Sequence, residues 1–412
     1  MDTSEFGLPW LLSPMDPAQF LADYWEKQPL ALLRHDEGYF GSVLTLADMD
    51  RILSSNDLRF PAVQLFKNNV QVTPPEYTTE MDTKVGPAAS VVDLVKLFAH
   101  YQQGATVVID SLDRSWMPLA RLCAGMERAF SHPTQTNVYL TPPSSQGFGA
   151  HYDTHDVFIL QMAGSKRWRL YRSPVQLPLA DNPSPRPGPD PGAPIADFVL
   201  RAGDVLYIPR GHVHDAATTD SVSLHVTLGI NTYTWADLFM EALNNLCRRD
   251  VRFRRGLPLG FAVDGAAAAR VRAEGAALSR ALADGVLPVE ETAEALAERF
   301  IRTRLPLFDG HLIELSEARR LTPQTRVRKR AWLYRLMIAS DSVHLLYHGK
   351  GLKFARSLEG PLHFILENET FEVTSLPGNL NDRDKVTLVQ LLIDEGLLTI
   401  DSTPATNASS LG

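Results

Sequence analysis

His151-Tyr152-Asp153, with two further histidines in Pro209-Arg210-Gly211-His212-Val213-His214, supplies the residue types of a two-histidine, one-carboxylate iron site. Three such ligands occupy one face of a metal and leave the opposite positions open, which is what an Fe(II) oxygenase needs to hold a co-substrate and O2 together. Residues two apart on an extended segment point to the same side, so His151 and Asp153 can share one ion. The third ligand has to come from the strand-like Gly203-Asp204-Val205-Leu206-Tyr207-Ile208-Pro209 and the turn after it, lying beside the first segment as strands of an antiparallel barrel do. A His-x-Asp pair alone is better explained as a hydrogen-bonded pair; the second strand-then-loop context makes the metal reading specific. A zinc hydrolase would accept the same ligand types, but it needs a general base for water, and the sequence holds no His-Glu-x-x-His helix.

The neighbouring segments predict the walls of such a site. Asn137-Val138-Tyr139-Leu140-Thr141 alternates polar and apolar residues, so Asn137, Tyr139 and Thr141 share the cavity side of a strand. Residues 141–150, rich in proline and glycine, form a loop leading to the metal segment and able to gate it. Val157–Met162 and Lys166–Tyr171, separated by Ala163-Gly164-Ser165, predict a hairpin. On its second arm Lys166 shares a face with Trp168 and Leu170. Alone it reads as a lysine snorkelling from a core edge. Beside the ligand triad it reads as a buried ammonium that needs an anion, because an unpaired buried charge costs several kcal/mol, and a dicarboxylate co-substrate would supply one.

At 412 residues the chain exceeds one ordinary core and predicts two or three domains. Hydrophobic residues at 44%, with 26 glycines and 28 prolines, fit a globular protein rich in strands and turns. A formal net charge of −8 argues against broad nucleic-acid binding. Cys123 and Cys247 lie far apart with no CxxC, which points to buried thiols in a reducing compartment. With no apolar run of membrane-spanning length and no signal-peptide pattern at Met1, a cytoplasmic protein is expected.

Asn137-Val-Tyr-Leu-Thr-Pro-Pro-x-Ser-Gln-Gly, His151-Tyr-Asp, Val157-Phe-Ile-Leu-Gln, Lys166-x-Trp-Arg-Leu-Tyr, Gly203-Asp-Val-Leu-Tyr-Ile-Pro-Arg-Gly-x-x-His214 and Ser223-Leu-His-Val-Thr-Leu together resemble the JmjC-type ribosomal oxygenases. Those are cupin-fold, Fe(II)- and 2-oxoglutarate-dependent protein hydroxylases. The match runs in order through residues 137–240. It implies an α+β class: a double-stranded β-helix (cupin/JmjC jelly roll) with flanking helices, a helical dimerisation domain and a C-terminal winged-helix-like domain. It makes His151, Asp153 and His214 the iron ligands and catalytic centre, and Lys166 the partner of the distal carboxylate of 2-oxoglutarate. Asn137 and Tyr139 match positions lining the co-substrate pocket, and His225 and Thr227 match polar pocket positions. Two departures stand out. The family commonly carries an acid directly after the His-x-Asp aspartate, where this chain has Thr154-His155, and a small or apolar residue where it has His212. Two histidines thus compete for the distal ligand, and the resemblance favours His214.

Elsewhere, helical patterns run over 16–35, 46–54, 90–103 and 116–130, around strands at about 69–73 and 105–110. Asp181–Gly192 is a proline-rich surface excursion, either a lid or a spacer. Beyond Trp235 helices are expected over 235–250, 262–284 and 289–303, and a mixed unit over 320–400. The predicted domains are therefore 1–234 (catalytic), 235–305 (helical, dimerising by resemblance), 306–402 (winged-helix-like) and a disordered tail, 403–412. Arg326–Arg330 is basic, but the acids of the final helix argue against a DNA-reading face. The function this implies is hydroxylation of a protein side chain, by resemblance a histidine or arginine of a ribosomal protein, with Fe(II), 2-oxoglutarate and O2, in a homodimer without membrane attachment. A free amino acid or biosynthetic peptide as substrate, and a non-catalytic cupin scaffold, are the alternatives.

Overall fold

Runs of β-branched and aromatic residues give the first part of the chain its strands: β1 (Leu30–Leu32), β2 (Val63–Lys67), β3 (Val70–Gln71), β4 (Thr78–Thr83), β5 (Gly86–Val92), β6 (Thr106–Asp110), β7 (Thr134–Thr141), β8 (Asp156–Leu170), β9 (Ala196–Arg201), β10 (Val205–Ile208) and β11 (His214–Ile230). The structure, a computed structural model, describes residues 6–34, 36–55, 58–83, 86–185, 190–317 and 320–401. The tail expected at 403–412 and residues 186–189 of the proline-rich excursion lie outside the described residues. The chain divides into two units, Met1–Thr232 and Tyr233–Gly412.

In the first unit β4 and β5 form a small sheet of their own, while the other nine strands form one antiparallel sheet in the order β1-β10-β8-β11-β7-β6-β2-β3, with β9 paired to β8. The long strands β8 and β11 run beside each other for most of their length. One face of the sheet carries Phe158, Leu160, Val138, Val226 and Leu228 into a core completed by helices α1 (Leu8–Leu12), α2 (Pro17–Asp23), α3 (Leu46–Ser55), α4 (Leu94–Gln102) and α5 (Met117–Phe130). A second, smaller cluster holds Val157, Ile159, Trp168, Leu170, Leu206 and Ile208.

The hairpin expected at 157–171 is instead the single strand β8, crossed by a bulge. The register with β11 slips between Gln161, opposite His225, and Ala163, opposite Leu224. A one-residue slip moves every later side chain to the other face of a strand. Hence Val157 and Ile159 before the bulge, and Trp168 and Leu170 after it, lie in the same cluster. Gly164 is required there: its φ is +64°, and a Cβ would stand 1.7 Å from the carbonyl oxygen of Val222. The helix expected over 16–35 ends at Asp23. Glu26 takes a φ of 56°, and Pro29 holds the residue before it extended, so the chain turns into β1.

A buried ion pair pins the end of the sheet nearest the metal-ligand loops. Arg210 Nη1 donates to Asp156 Oδ2 at 2.7 Å and lies 2.5 Å from Glu26 Oε1. Asp156, fully buried, also accepts from the Tyr207 hydroxyl at 3.0 Å and the Thr232 hydroxyl at 3.1 Å.

In the second unit, α6 (Trp235–Arg249) starts on a capping box in which the Thr234 hydroxyl accepts from the Asp237 N–H and the Asp237 carboxylate accepts from the Thr234 N–H. It is followed by α7 (Gly265–Ala281) and α8 (Val289–Arg302), and α6 is bridged to α8 by Arg249–Glu291 and Arg299–Glu241 ion pairs. Beyond α9 (His311–Glu317), strands β12 (Arg326–Lys329), β13 (Arg335–Ile338), β14 (Ser342–Tyr347), β15 (Lys350–Ala355), β16 (Thr370–Glu372) and β17 (Leu398–Ile400) form two three-stranded sheets, β16-β12-β17 and β13-β14-β15. Helices α10 (Glu359–Glu367) and α11 (Asp382–Asp394) close on these over a core of Val327, Leu345, Tyr347, Leu362, Val389 and Leu392. No helix among the described residues is long and apolar enough to cross a membrane.

Replacing Arg210 by leucine strands the Asp156 carboxylate in the protein interior, which typically costs about 3–5 kcal/mol. The combined Asp156→Leu, Arg210→Leu variant should lose less than the two single changes added together. Urea unfolding of the three variants checks this; single-variant losses below about 1 kcal/mol would show that the pair is dispensable.

Candidate metal and co-substrate site

The ligand types sit where two loops meet. His151 lies before β8 and forms an isolated antiparallel bridge with His214, the first residue of β11: the His151 N–H donates to the His214 carbonyl at 3.1 Å, and the His214 N–H donates back at 2.8 Å. Asp153 is on a loop rather than the expected strand, its carbonyl accepting from the Gly211 N–H at 3.0 Å. The bridge brings one side-chain ligand atom from each of His151, Asp153 and His214 within 4.8 Å of one another. Asp153 Oδ1 is 3.9 Å from His151 Nε2, and its Oδ2 is 3.7 Å from His214 Nε2.

Backbone carbonyls set the tautomers. His151 Nδ1 lies 2.9 Å from the Gly149 carbonyl oxygen, and His214 Nδ1 lies 3.1 Å from that of His212. A carbonyl can only accept, so each Nδ1 carries the proton and each Nε2 is left as a bare donor for a metal. Burial pushes the His214 imidazole down to about 4, with the neighbouring His151 acting in the same direction, so it is neutral near pH 7. His212 stands outside this cluster: its carbonyl orients His214 while its own Nδ1 is buried without a hydrogen-bond partner.

The cavity behind these residues has a volume of about 320 Å³ and is lined by every residue predicted for the site: His151, Asp153, His214, Lys166, Asn137, Tyr139, His225 and Thr227. Antiparallel pairing of β7 with β11 sets His225 opposite Tyr139 and Thr227 opposite Asn137. The His225 and Tyr139 rings stack at 4.7 Å. Lys166 is 4% exposed, its Nζ donating to the Thr141 hydroxyl at 3.1 Å. Burial pulls its ammonium down to about 7. Such a group gains most from an anion brought to it in a dry pocket. The donor set therefore suits its groups: two bare imidazole nitrogens and a carboxylate for Fe(II), and an under-partnered buried lysine for one end of a dicarboxylate such as 2-oxoglutarate.

Several wall residues escape the sequence patterns. Gln64 and Phe66 on β2, and Val108 and Asp110 on β6, face the cavity. Asp110 ends an otherwise apolar run, Thr106-Val107-Val108-Ile109, and a polar residue at the alternate position was the available signal. Asp156 and Arg210 support the site from behind, and nothing in their spacing marks them as partners.

Residues 113–238 match the JmjC domain, and the fold is that of the JmjC cupins. An Escherichia coli ribosomal oxygenase, YcfD, solved with cobalt and 2-oxoglutarate, superposes with a TM-score of 0.52 at 15% identity, covering 94% of this chain and 99% of that one. A Drosophila persimilis protein named bifunctional lysine-specific demethylase and histidyl-hydroxylase NO66 is 29% identical over 95% of this chain and 62% of its own length. Danio rerio ribosomal oxygenase 1 is 29% identical over 94% of this chain and 78% of its own. The chain thus carries a JmjC domain and is similar to the ribosomal oxygenases, and it spans less than two thirds of the length of the Drosophila persimilis relative.

His214→Ala should abolish retention of Fe(II), measured as bound metal after gel filtration, whereas His212→Ala should leave it near wild type; the reverse would transfer the ligand role to His212. Lys166→Ala should weaken 2-oxoglutarate binding at least tenfold while sparing the metal. A lysine titrating at about 7 in the free protein must take up a proton to bind a dicarboxylate above that pH. Affinity for 2-oxoglutarate should thus fall by up to ~tenfold per unit above pH 7 and be flat below it. Titration calorimetry across pH 6–9 reads this, and a flat profile throughout would detach Lys166 from the anion.

Proposed function

We propose that this protein is an Fe(II)- and 2-oxoglutarate-dependent oxygenase that hydroxylates a side chain of a ribosomal protein, a histidine or an arginine. The observation that carries it is the presence in one cavity of a three-ligand cluster, His151, Asp153 and His214, and a buried lysine, Lys166, with no acid beside it among the described residues. Bound together, Fe(II), 2-oxoglutarate and O2 supply oxidation of a C–H bond to an alcohol, with release of succinate and carbon dioxide. The chain's own part is positioning. His151 and His214 present Nε2 because the Gly149 and His212 carbonyls hold their Nδ1 protons. Lys166, steadied by Thr141, anchors the far carboxylate, and the stacked Tyr139 and His225 rings wall off water. A substrate side chain would have to be held beside the cluster of His151, Asp153 and His214 before oxygen is used. The names of the similar ribosomal oxygenases support a ribosomal protein as substrate.

The helices α6 to α8 serve as a dimerisation region in this proposal, and residues 306–402 as a winged-helix-like module for protein contact. Support comes from exposed apolar side chains on α6 and the segment after it, Trp235, Phe239, Met240, Leu259 and Val263. The two cysteines, both free thiols, fit a reducing, cytoplasmic setting.

Anaerobically purified protein, given Fe(II), 2-oxoglutarate and then air with a ribosomal protein extract, should form succinate and add about 16 Da, one oxygen atom, to a single ribosomal protein. Turnover with free amino acids but with no ribosomal protein would move the assignment to a small-molecule hydroxylase. For the assembly, light scattering should give a dimer that the Trp235→Asp, Phe239→Asp double variant converts to monomer.

A further inference from the structure

We propose that Asn69, on the turn between β2 and β3, is a positioning residue for the metal site: its side-chain oxygen holds Gly149, whose carbonyl sets the tautomer and direction of the His151 ring. This rests on the reading of His151 as a metal ligand. β2 and β3 pair Lys67 with Val70, so only Asn68 and Asn69 make the turn. Both have positive φ, 50° and 68°. That is the two-residue hairpin turn whose handedness matches the twist of its strands, and asparagine and glycine adopt it at least cost. Asparagine followed by glycine suits such a turn best, so the turn itself needs no side chain at position 69. The side chain that stands there reaches across to the loop before His151. Asn69 Oδ1 accepts from the Gly149 N–H at 2.9 Å, and the Gly149 carbonyl oxygen lies 2.9 Å from His151 Nδ1.

Residues 146–150 belong to no helix or strand, so contacts with the β2–β3 hairpin fix their path where a ladder does not. The Asn68 N–H donates to the Gln146 carbonyl at 3.0 Å, and the Asn69 N–H to that of Gly147 at 2.8 Å. Phe66, on β2, packs on Phe148 with ring centroids 4.3 Å apart, and Phe148 is 6.1 Å from the His151 ring. Gly149 lies so close to the hairpin that a Cβ on it would stand 2.9 Å from Asn69 Nδ2. On its other side the loop rests on Thr106, where a Cβ at Gly147 would stand 2.8 Å from Oγ1. The Thr106 hydroxyl donates to Thr141, the partner of Lys166, so one short loop is seated against both the metal end and the lysine end of the cavity. The bridge to His214 fixes the His151 backbone and leaves its ring free to turn. The carbonyl that stops the ring belongs to a glycine, the residue with the widest backbone freedom, so its direction depends on what tethers it. Among the described residues the Gly149 N–H has no acceptor but Asn69.

The test uses the full chain loaded with cobalt(II), a paramagnetic stand-in for Fe(II), and proton NMR in H2O and D2O. The Nδ1 protons of His151 and His214 should give far-shifted resonances that vanish in D2O. Asn69→Gly keeps the turn and removes the oxygen, whereas Asn69→Asp keeps an oxygen able to accept. In Asn69→Gly one of the two resonances should move or broaden by faster exchange while the other stays. Loss of a partner directly behind a metal ligand typically costs ~10- to 100-fold in metal affinity, and for Asn69, one bond further out, the fall for cobalt(II) should be about three- to tenfold. Asn69→Asp should restore both the resonance and the affinity. A glycine variant with resonances and affinity unchanged overturns the proposal, and so does an aspartate variant no better than the glycine one. Displacement of both resonances together would mark a general loosening of the two loops and overturns it as well. If cobalt(II) does not bind the wild-type protein, the metal-ligand reading fails and the role of Asn69 with it; cobalt(II) binding that is indifferent to Asn69 overturns the second alone.

Discussion

The two reciprocal backbone hydrogen bonds between His151 and His214 are the constraint on which the site depends. They join the loop before β8 to the start of β11, and without them the imidazoles would be carried by two loops with no common register. The loops are tied again on each side. Gly211 N–H holds the Asp153 carbonyl, and the Arg210 guanidinium holds Asp156, three residues past Asp153. Gly211 has a φ of +89°, and a Cβ there would lie 2.3 Å from the Val175 carbonyl oxygen, so the turn delivering His214 accepts no larger residue. Ligand spacing is thus a property of the backbone, and each side chain needs only its tautomer set by a carbonyl.

Much of this was legible in the residues. The His-x-Asp pair, the strand before the distal histidines and the alternation through Asn137, Tyr139 and Thr141 are local patterns, and the structure brings His151, Asp153, His214, Asn137 and Tyr139 to one cavity, with Thr141 as the hydrogen-bond partner of Lys166. The face of Lys166 was also readable, because it needs only a period of two over three residues of strand. How that face relates to the rest of the wall was not. Ile159 and Lys166 are an odd number of residues apart and line the same cavity only because of the register slip near Gly164. Loop geometry misled more often: a glycine between two strand runs signals a hairpin, yet here it lets one strand bend past the Val222 carbonyl. Asp110 and Gln64 were hidden for another reason. Their role comes from strands β6 and β2, far in sequence from the triad, and only the pairing order brings them to the wall.

Choice between the two distal histidines shows where sequence chemistry stops. His212 and His214 have the same side chain and share one turn, so residue type cannot rank them. Strand alternation puts both on one side of an extended segment, but the strand begins only at His214 and His212 lies before it. The backbone carbonyl of His212 is spent on His214 Nδ1, so the first histidine acts through its main chain and the second through its ring.

The cavity also carries a charge arrangement that only ligands can complete. Lys166 at one end is buried and Asp110 at the other half-buried, each with a neutral partner, a hydroxyl and an amide. Both have titration shifted toward the uncharged form, the direction burial imposes on an unpaired group. Separated along β7, they cannot neutralise each other. Two hydrophobic residues in their places would stabilise the ligand-free fold, and retaining ionisable groups there sacrifices stability for binding. An anion at Lys166 would recover part of that loss, so a bound dicarboxylate should stabilise the protein in proportion to its occupancy. A pocket with its ammonium and its carboxyl at opposite ends is polarised before any ligand enters it.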